Sequence, residues 1–155
     1  MAIDILVAPL LRVPLLQGLT RLQLTEIARQ AERIVFRAGT EITKAGASGD
    51  AAFLIISGPA ERLSPGESDG QPEWIEPGSL LGEMAMLIEH EYGSTVVARG
   101  LVRALKLTRT ALHAQMLNDP TLADHFVHQI ALRLTSIASE LGSINRALAA
   151  SLQSV

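Results

Sequence analysis

The sequence predicts a mainly β domain with flanking helices: an antiparallel, jelly-roll-like β-roll with N-terminal helices before it and one long C-terminal helix after it. Three observations carry this reading. Between Ile34 and Leu107 the runs IVF, AAFLIIS, STVVA and VRALKL are short, apolar and rich in β-branched residues, as strands of a packed roll require. Glycines and prolines from Gly39 to Gly78 separate these runs at the spacing of antiparallel turns. Beyond Pro120 the apolar residues recur at alternating steps of three and four, which is a helical seam.

The elements follow in chain order. The opening stretch MAIDILVAPLLRVPLLQGL is apolar, but Asp4 stands where a secretory leader needs positive charge, and Pro9, Arg12 and Pro14 interrupt it. The uninterrupted run falls well short of the ~20 residues of a membrane span. It reads as a docking helix or arm. From Leu15 to Ile34, apolar residues at Leu19, Leu22, Leu24, Ile27 and Ala28 have helical spacing, with Thr25 as the cap. Within the β region, SPGESDGQPE (Ser64 to Glu73) is polar and turn-rich, a loop between two strands and the expected mobile segment. From Thr110 the pattern turns helical around Leu112, Met116 and Leu117. Asp119 as N-cap with Pro120 at the first helical position then starts the last helix. The chain thus divides into residues 1–118, the N-terminal helices and roll, and residues 119–155, a C-terminal helix for oligomerisation.

Composition narrows the function classes. A chain of 155 residues, 48% hydrophobic and 19% charged, suits one domain with a real core. The net charge is −3 and the basic residues are scattered, so no stripe exists to follow nucleic-acid phosphates. The absence of cysteine fits a cytoplasmic protein and excludes thiolate metal sites. A metal-binding enzyme on such a roll would need clustered histidines. His90, His113, His125 and His128 include no His-x-His pair, and His125 with His128 lacks a third ligand. No nucleophile elbow or phosphate-cradling loop is present either, so neither a catalytic residue nor a metal site is expected.

Several motifs in order, namely PLLQGL, Gly49-Asp50 before FLIISG, Pro77-Gly78 before LLGEMAML, then TVVA and an Asp-Pro-started helix, resemble the cyclic nucleotide-binding domain family from about Pro14 to Leu134. The resemblance implies a regulatory sensor with cAMP or cGMP as ligand. It also implies a pocket built from Gly82, Glu83, Met84, Ala85, Tyr92, Gly93, Ser94 and Thr95. There, free N–H groups of Met84 and Ala85 would face the cyclic phosphate. Glu83 would accept from the ribose 2′-hydroxyl, or serve only as an acid at a helix N-terminus. Tyr92 stands at the position the family fills with its phosphate-binding arginine. Losing a bidentate guanidinium partner costs about 3 to 5 kcal/mol, so family-type binding is expected to be weakened a hundredfold or more. His90, Arg99 and Arg103 are the nearby cations, either as substitutes or as solvated surface.

Transcription factors of the family carry a helix-turn-helix after the long helix, and LAASLQSV offers none. Output is therefore expected through self-association or a protein effector. With Leu134, Leu141 and Leu148 at a and Ile130, Ile137 and Ile144 at d, the seam is uniformly apolar. Leu at a with Ile at d leans toward more than two strands in free peptides. The bulk of the roll and the family's habit favour a homodimer; the alternative is a helix folded back on its own roll.

Overall fold

The computed structural model describes residues 2–64 and 71–153. In chain order its strands are β1 (Glu32–Phe36), β2 (Glu41–Thr43), β3 (Ser48–Gly49), β4 (Ala51–Ser57), β5 (Ala60–Leu63), β6 (Glu73–Trp74), β7 (Leu80–Leu81), β8 (His90–Glu91), β9 (Thr95–Ala98) and β10 (Val102–Thr108). They form two four-stranded sheets, ordered β1-β10-β4-β7 and β2-β9-β5-β6, and a β3-β8 ribbon. All pairings are antiparallel.

The continuous apolar run of β4 has a two-sided cause. Ala52 and Leu54 pack into a helix-side core, whereas Phe53 and Ile55 fill the interior of the roll. A strand buried on both faces loses its polar alternation. β10 does the same with Leu105 and Leu107 on one side and Val102 and Ala104 on the other. The register shifts between Arg103 and Ala104, where Ser57 and Ile55 of β4 are the successive partners and Ile56 is the extra residue. Inside the roll, Phe36 and Phe53 meet edge to face with centroids 5.7 Å apart.

Four α-helices cover the first sheet: α1 (Ala2–Leu10), α2 (Arg21–Gln30), α3 (Arg109–Asn118) and α4 (Pro120–Gln153), with a 3-10 turn at Pro14–Leu16. The opening stretch is thus a docking helix, whose Val7 and Leu10 are buried against Leu24, Ile27, Leu122 and Phe126. The cap of α2 is Thr20, not Thr25. Thr20 Oγ1 accepts from Gln23 N at 3.2 Å while the Gln23 side chain accepts from Thr20 N at 2.9 Å, a reciprocal capping box. Thr25 lies inside the helix and donates its hydroxyl to Arg21 O. The polar loop Ser64 to Glu73 ends earlier than its composition suggests, because Glu73 pairs in β6 with Arg62; residues 65–70 lie outside the described residues.

Asp119 and Pro120 open α4 as the sequence predicts, with Asp119 Oδ1 accepting from Leu122 N at 3.3 Å. The helix has two halves. Leu122 and Phe126 are buried and Ile130 packs beside them, but from Ala131 almost every residue is exposed. Past Ile130 no apolar side chain of the described helix joins either core cluster. With 34 residues it extends about 50 Å at 1.5 Å per residue.

Candidate ligand-binding site

The site grows from one backbone requirement. After β7 the chain must turn sharply, and Gly82 does so at φ 70°, ψ 35°, the left-handed region that glycine enters without a Cβ penalty. A short 3-10 helix, Glu83–Met86, follows, with Ala85 and Met86 buried. Its tightness corrects one expectation. The Ala85 N–H is bonded to Gly82 O at 3.0 Å, so it does not point freely at a ligand.

Beside this turn lies a cavity of about 320 Å³, at the small end of ligand sites. Of the residues predicted from sequence, Gly82, Glu83, Met84, Ala85, Tyr92, Gly93 and Ser94 line it together. Thr95 is not among the lining residues: its Oγ1 accepts from Ala45 N at 2.9 Å. Of the three nearby cations, only His90 reaches the cavity wall. Arg99 pairs with Glu61 at 2.8 Å, and Arg103 sits opposite Val35 across β1-β10.

Tyr92 is built into the site rather than hung over it. Its backbone N donates to Ala47 O at 3.0 Å and its carbonyl accepts from Gly46 N at 2.9 Å. The phenol donates to Ala51 O at 2.7 Å. The ring lies against two glycines, so that a Cβ at Gly49 or at Gly82 would come within 2.5 Å of it. Burial, and secondarily the charge of Asp50, push its pKa above the ordinary value, against smaller opposing effects of the hydrogen bond to Ala51 O and then of Arg109. The ring therefore occupies the space between Gly49 and Gly82 as a neutral wedge.

The remaining charges come from places the linear sequence does not connect. Arg62 on β5 lies opposite Val96, a fully buried residue of the roll interior, and directly opposed residues share a face. Its Nε is shut from solvent and has no hydrogen-bond partner among the described residues, with the Glu73 carboxylate 4.0 Å away. Thr43, also on this wall, donates to Ser94 O at 2.9 Å. Arg133 reaches in from α4 and forms an ion pair with Glu83. Neither arginine belongs to a local motif, and only the fold brings them to the pocket.

Arg109, at the start of α3, fastens the site to the helices. Its Nη1 donates to Gly49 O at 3.2 Å, Ala85 O at 3.3 Å and Ile88 O at 2.7 Å, joining the ribbon, the 3-10 turn and the segment after it. His113 Nε2 lies 2.6 Å from Leu87 O and His125 Nε2 lies 2.9 Å from Leu15 O. These histidines tie backbone segments together. No helix among the described residues is long and apolar enough to cross a membrane.

The geometry finds its counterparts among known proteins. The family model of the cyclic nucleotide-binding domain matches residues 33–119, more than half the chain. A cAMP-dependent protein kinase regulatory subunit from Aspergillus fumigatus is 34% identical over 97 residues, 63% of this chain. The chain spans only 23% of that relative's length. Among solved structures, a cyclic nucleotide-binding-like protein from Brucella abortus is 30% identical, with a TM-score of 0.63 over 75% of this chain and 100% of its own. The catabolite activator protein of Thermus thermophilus is 27% identical, with a TM-score of 0.62 over 85% of this chain and 63% of its own. The N-terminal domain of a Streptomyces coelicolor transcriptional regulator, at 21% identity and a TM-score of 0.73 over 86% of this chain and 94% of its own, shares the fold. A roll with its glycine-started 3-10 turn, a pocket beside that turn and a match across the whole β region place this chain in the cyclic nucleotide-binding domain family.

Proposed function

We propose that this chain is a regulatory sensor domain in which Tyr92 has replaced the phosphate-binding cation, so that cAMP and cGMP bind weakly. In this reading residues 1–118 are the sensing unit and residues 119–155 carry the output. The observation that supports it most is the Tyr92 wedge: the phenol is committed to Ala51 O and its ring to Gly49 and Gly82. A neutral ring offers a cyclic phosphate no charge-assisted partner, while Glu91 on the same wall repels one.

Output runs through homodimerisation along α4. Leu134, Ile137, Leu141, Ile144 and Leu148 are 46–61% exposed in the single chain and lie on one seam, as the a and d positions of a coiled coil do. The dimer would act on a protein effector in the cytoplasm. A net charge of −3 argues against direct contact with a nucleic-acid backbone. The role is binding rather than catalysis. The same exposed seam, taken with the filled pocket, favours one second reading, a ligand-free dimerisation module on the same fold.

Calorimetric titration of the refolded, nucleotide-free protein with cAMP and cGMP tests the sensor reading. It expects dissociation constants in the high micromolar to millimolar range. Submicromolar binding of either nucleotide contradicts it.

A further inference from the structure

The charges on the cavity wall bear on what kind of molecule it holds. We infer, on the sensor reading's premise that the cavity takes a ligand, that Arg62 is its anion-binding residue: the site holds a compact hydroxylated oxyanion, a hydroxy carboxylate or a phosphate ester, against the wall formed by β2, β9 and β5.

The turn side of the cavity has little to offer a negative charge. The Ala85 N–H is bonded to Gly82 O at 3.0 Å, the Tyr92 phenol donates to Ala51 O at 2.7 Å, and Arg133 is paired with Glu83. Glu91, on β8, adds a further negative charge to the lining. The sheet side differs. Thr43 on β2 and Arg62 on β5 each lie opposite Val96 of β9, so the three make one cross-strand row and share a face. Val96 belongs to the roll interior, Thr43 is buried, and both Thr43 and Arg62 line the cavity.

Arg62 is poorly served by the protein itself. Its Nε is shut from solvent and has no hydrogen-bond partner among the described residues. The carboxylate of Glu73, its cross-strand neighbour, comes only to 4.0 Å, too far for a hydrogen bond, and is 58% exposed, so the pair is a weak one. A guanidinium carries five donors in a planar fork that matches two oxygens of a carboxylate or phosphate. An enclosed donor without an acceptor is a cost that such an oxyanion removes. Thr43 adds the second requirement. Its hydroxyl hydrogen goes to Ser94 O at 2.9 Å, which leaves its oxygen to accept from a hydroxyl on the ligand. The cavity of about 320 Å³ is at the small end of ligand sites, in keeping with a compact acid.

Nitrogen-15 NMR of the labelled full chain reads Arg62 directly. Inorganic phosphate stands in for a phosphate ester and lactate for a hydroxy acid, each added at constant ionic strength so that screening does not change. At least one should move the Arg62 Nε–H resonance, identified by its loss in Arg62→Gln, along a saturating curve with a dissociation constant of about 1–10 mM, as one charge-assisted contact gives. Saturation by phosphate alone assigns a phosphate ester, and by lactate alone a hydroxy acid. Read at the Gly93 and Ser94 amides, Arg62→Gln should weaken the same binding at least ~10-fold. Arg29→Gln, which removes an equal charge from α2, should leave it within about twofold. An Arg62 resonance unmoved by both anions up to ~100 mM overturns the inference in the wild type, whatever the variants do. Equal losses in Arg62→Gln and Arg29→Gln overturn it too, since the binding is then diffuse. Titration with cAMP separates the two readings. Tight cAMP binding beside a saturable Arg62 contradicts weak nucleotide binding and leaves Arg62 its role, whereas weak cAMP binding beside a silent Arg62 does the reverse.

Discussion

Replacing Ile137 and Leu141 together with Glu should convert a dimer to a monomer while the roll stays folded. The magnitude follows from exposure. Fully burying a Leu or Ile side chain is worth about 1.5–3 kcal/mol, and Ile137 and Leu141 are 46% and 56% exposed in the single chain, so each has roughly 1 kcal/mol left to gain. Four such side chains meet across a two-fold seam, which sums to about 4 kcal/mol, close to a thousandfold in the dimer dissociation constant. Like charges introduced into an apolar stripe add to the loss. The fold should be spared, because neither residue belongs to the clusters that include Leu122 and Phe126. Light scattering over a hundredfold concentration range, with circular dichroism as a control for folding, is the assay. A wild type that is monomeric throughout refutes the reasoning, and so does a double variant that remains dimeric.

Further outcomes follow from the pocket wall. Arg109→Met removes the donor to Gly49 O, Ala85 O and Ile88 O. Charged hydrogen bonds of this kind are worth about 1.5–3 kcal/mol, so melting should fall by roughly 5–10 °C, whereas a drop under ~1 °C means that the 3-10 turn is held by other contacts. Tyr92 is the chain's single tyrosine, so tyrosinate absorbance reports it alone. Its pKa is raised above 10.0 chiefly by burial, so the folded protein keeps the phenol proton where the unfolded chain has lost it. Stability should hold below pH 10 and decline as pH rises toward the folded pKa. Tyr92→Phe should abolish that decline, and an absorbance midpoint at the ordinary value would mean that the ring is solvated and no wedge exists.

Much of this architecture was legible from short-range pattern. The strands AAFLIIS and TVVA appear at the residues their composition marks, and Asp119-Pro120 starts α4, because cap chemistry and β-branched runs are local signals. The cap of α2 was misread for an equally local reason. Thr20 and Thr25 both precede apolar residues, but only Thr20 has a glutamine three residues on to complete a reciprocal cap. The pocket's glycine, carboxylate and tyrosine were legible because they share one stretch, Gly82 to Ser94. Arg62 and Arg133 were not, since nothing in sequence links β5 or α4 to Glu83. The capture of the Ala85 N–H by Gly82 O was hidden too, because it depends on the turn closing as a 3-10 rather than an α-helix.

The central claim is that the pocket keeps the family's shape and lacks its cation. Titrating Tyr92→Arg and wild type with cAMP under identical conditions tests it most directly. The account predicts weak or undetectable binding by wild type and a gain of at least ~100-fold, about 2.7 kcal/mol, on adding the guanidinium. Contradiction would come from a Tyr92→Arg protein, folded by circular dichroism, that shows no heat of binding at millimolar nucleotide.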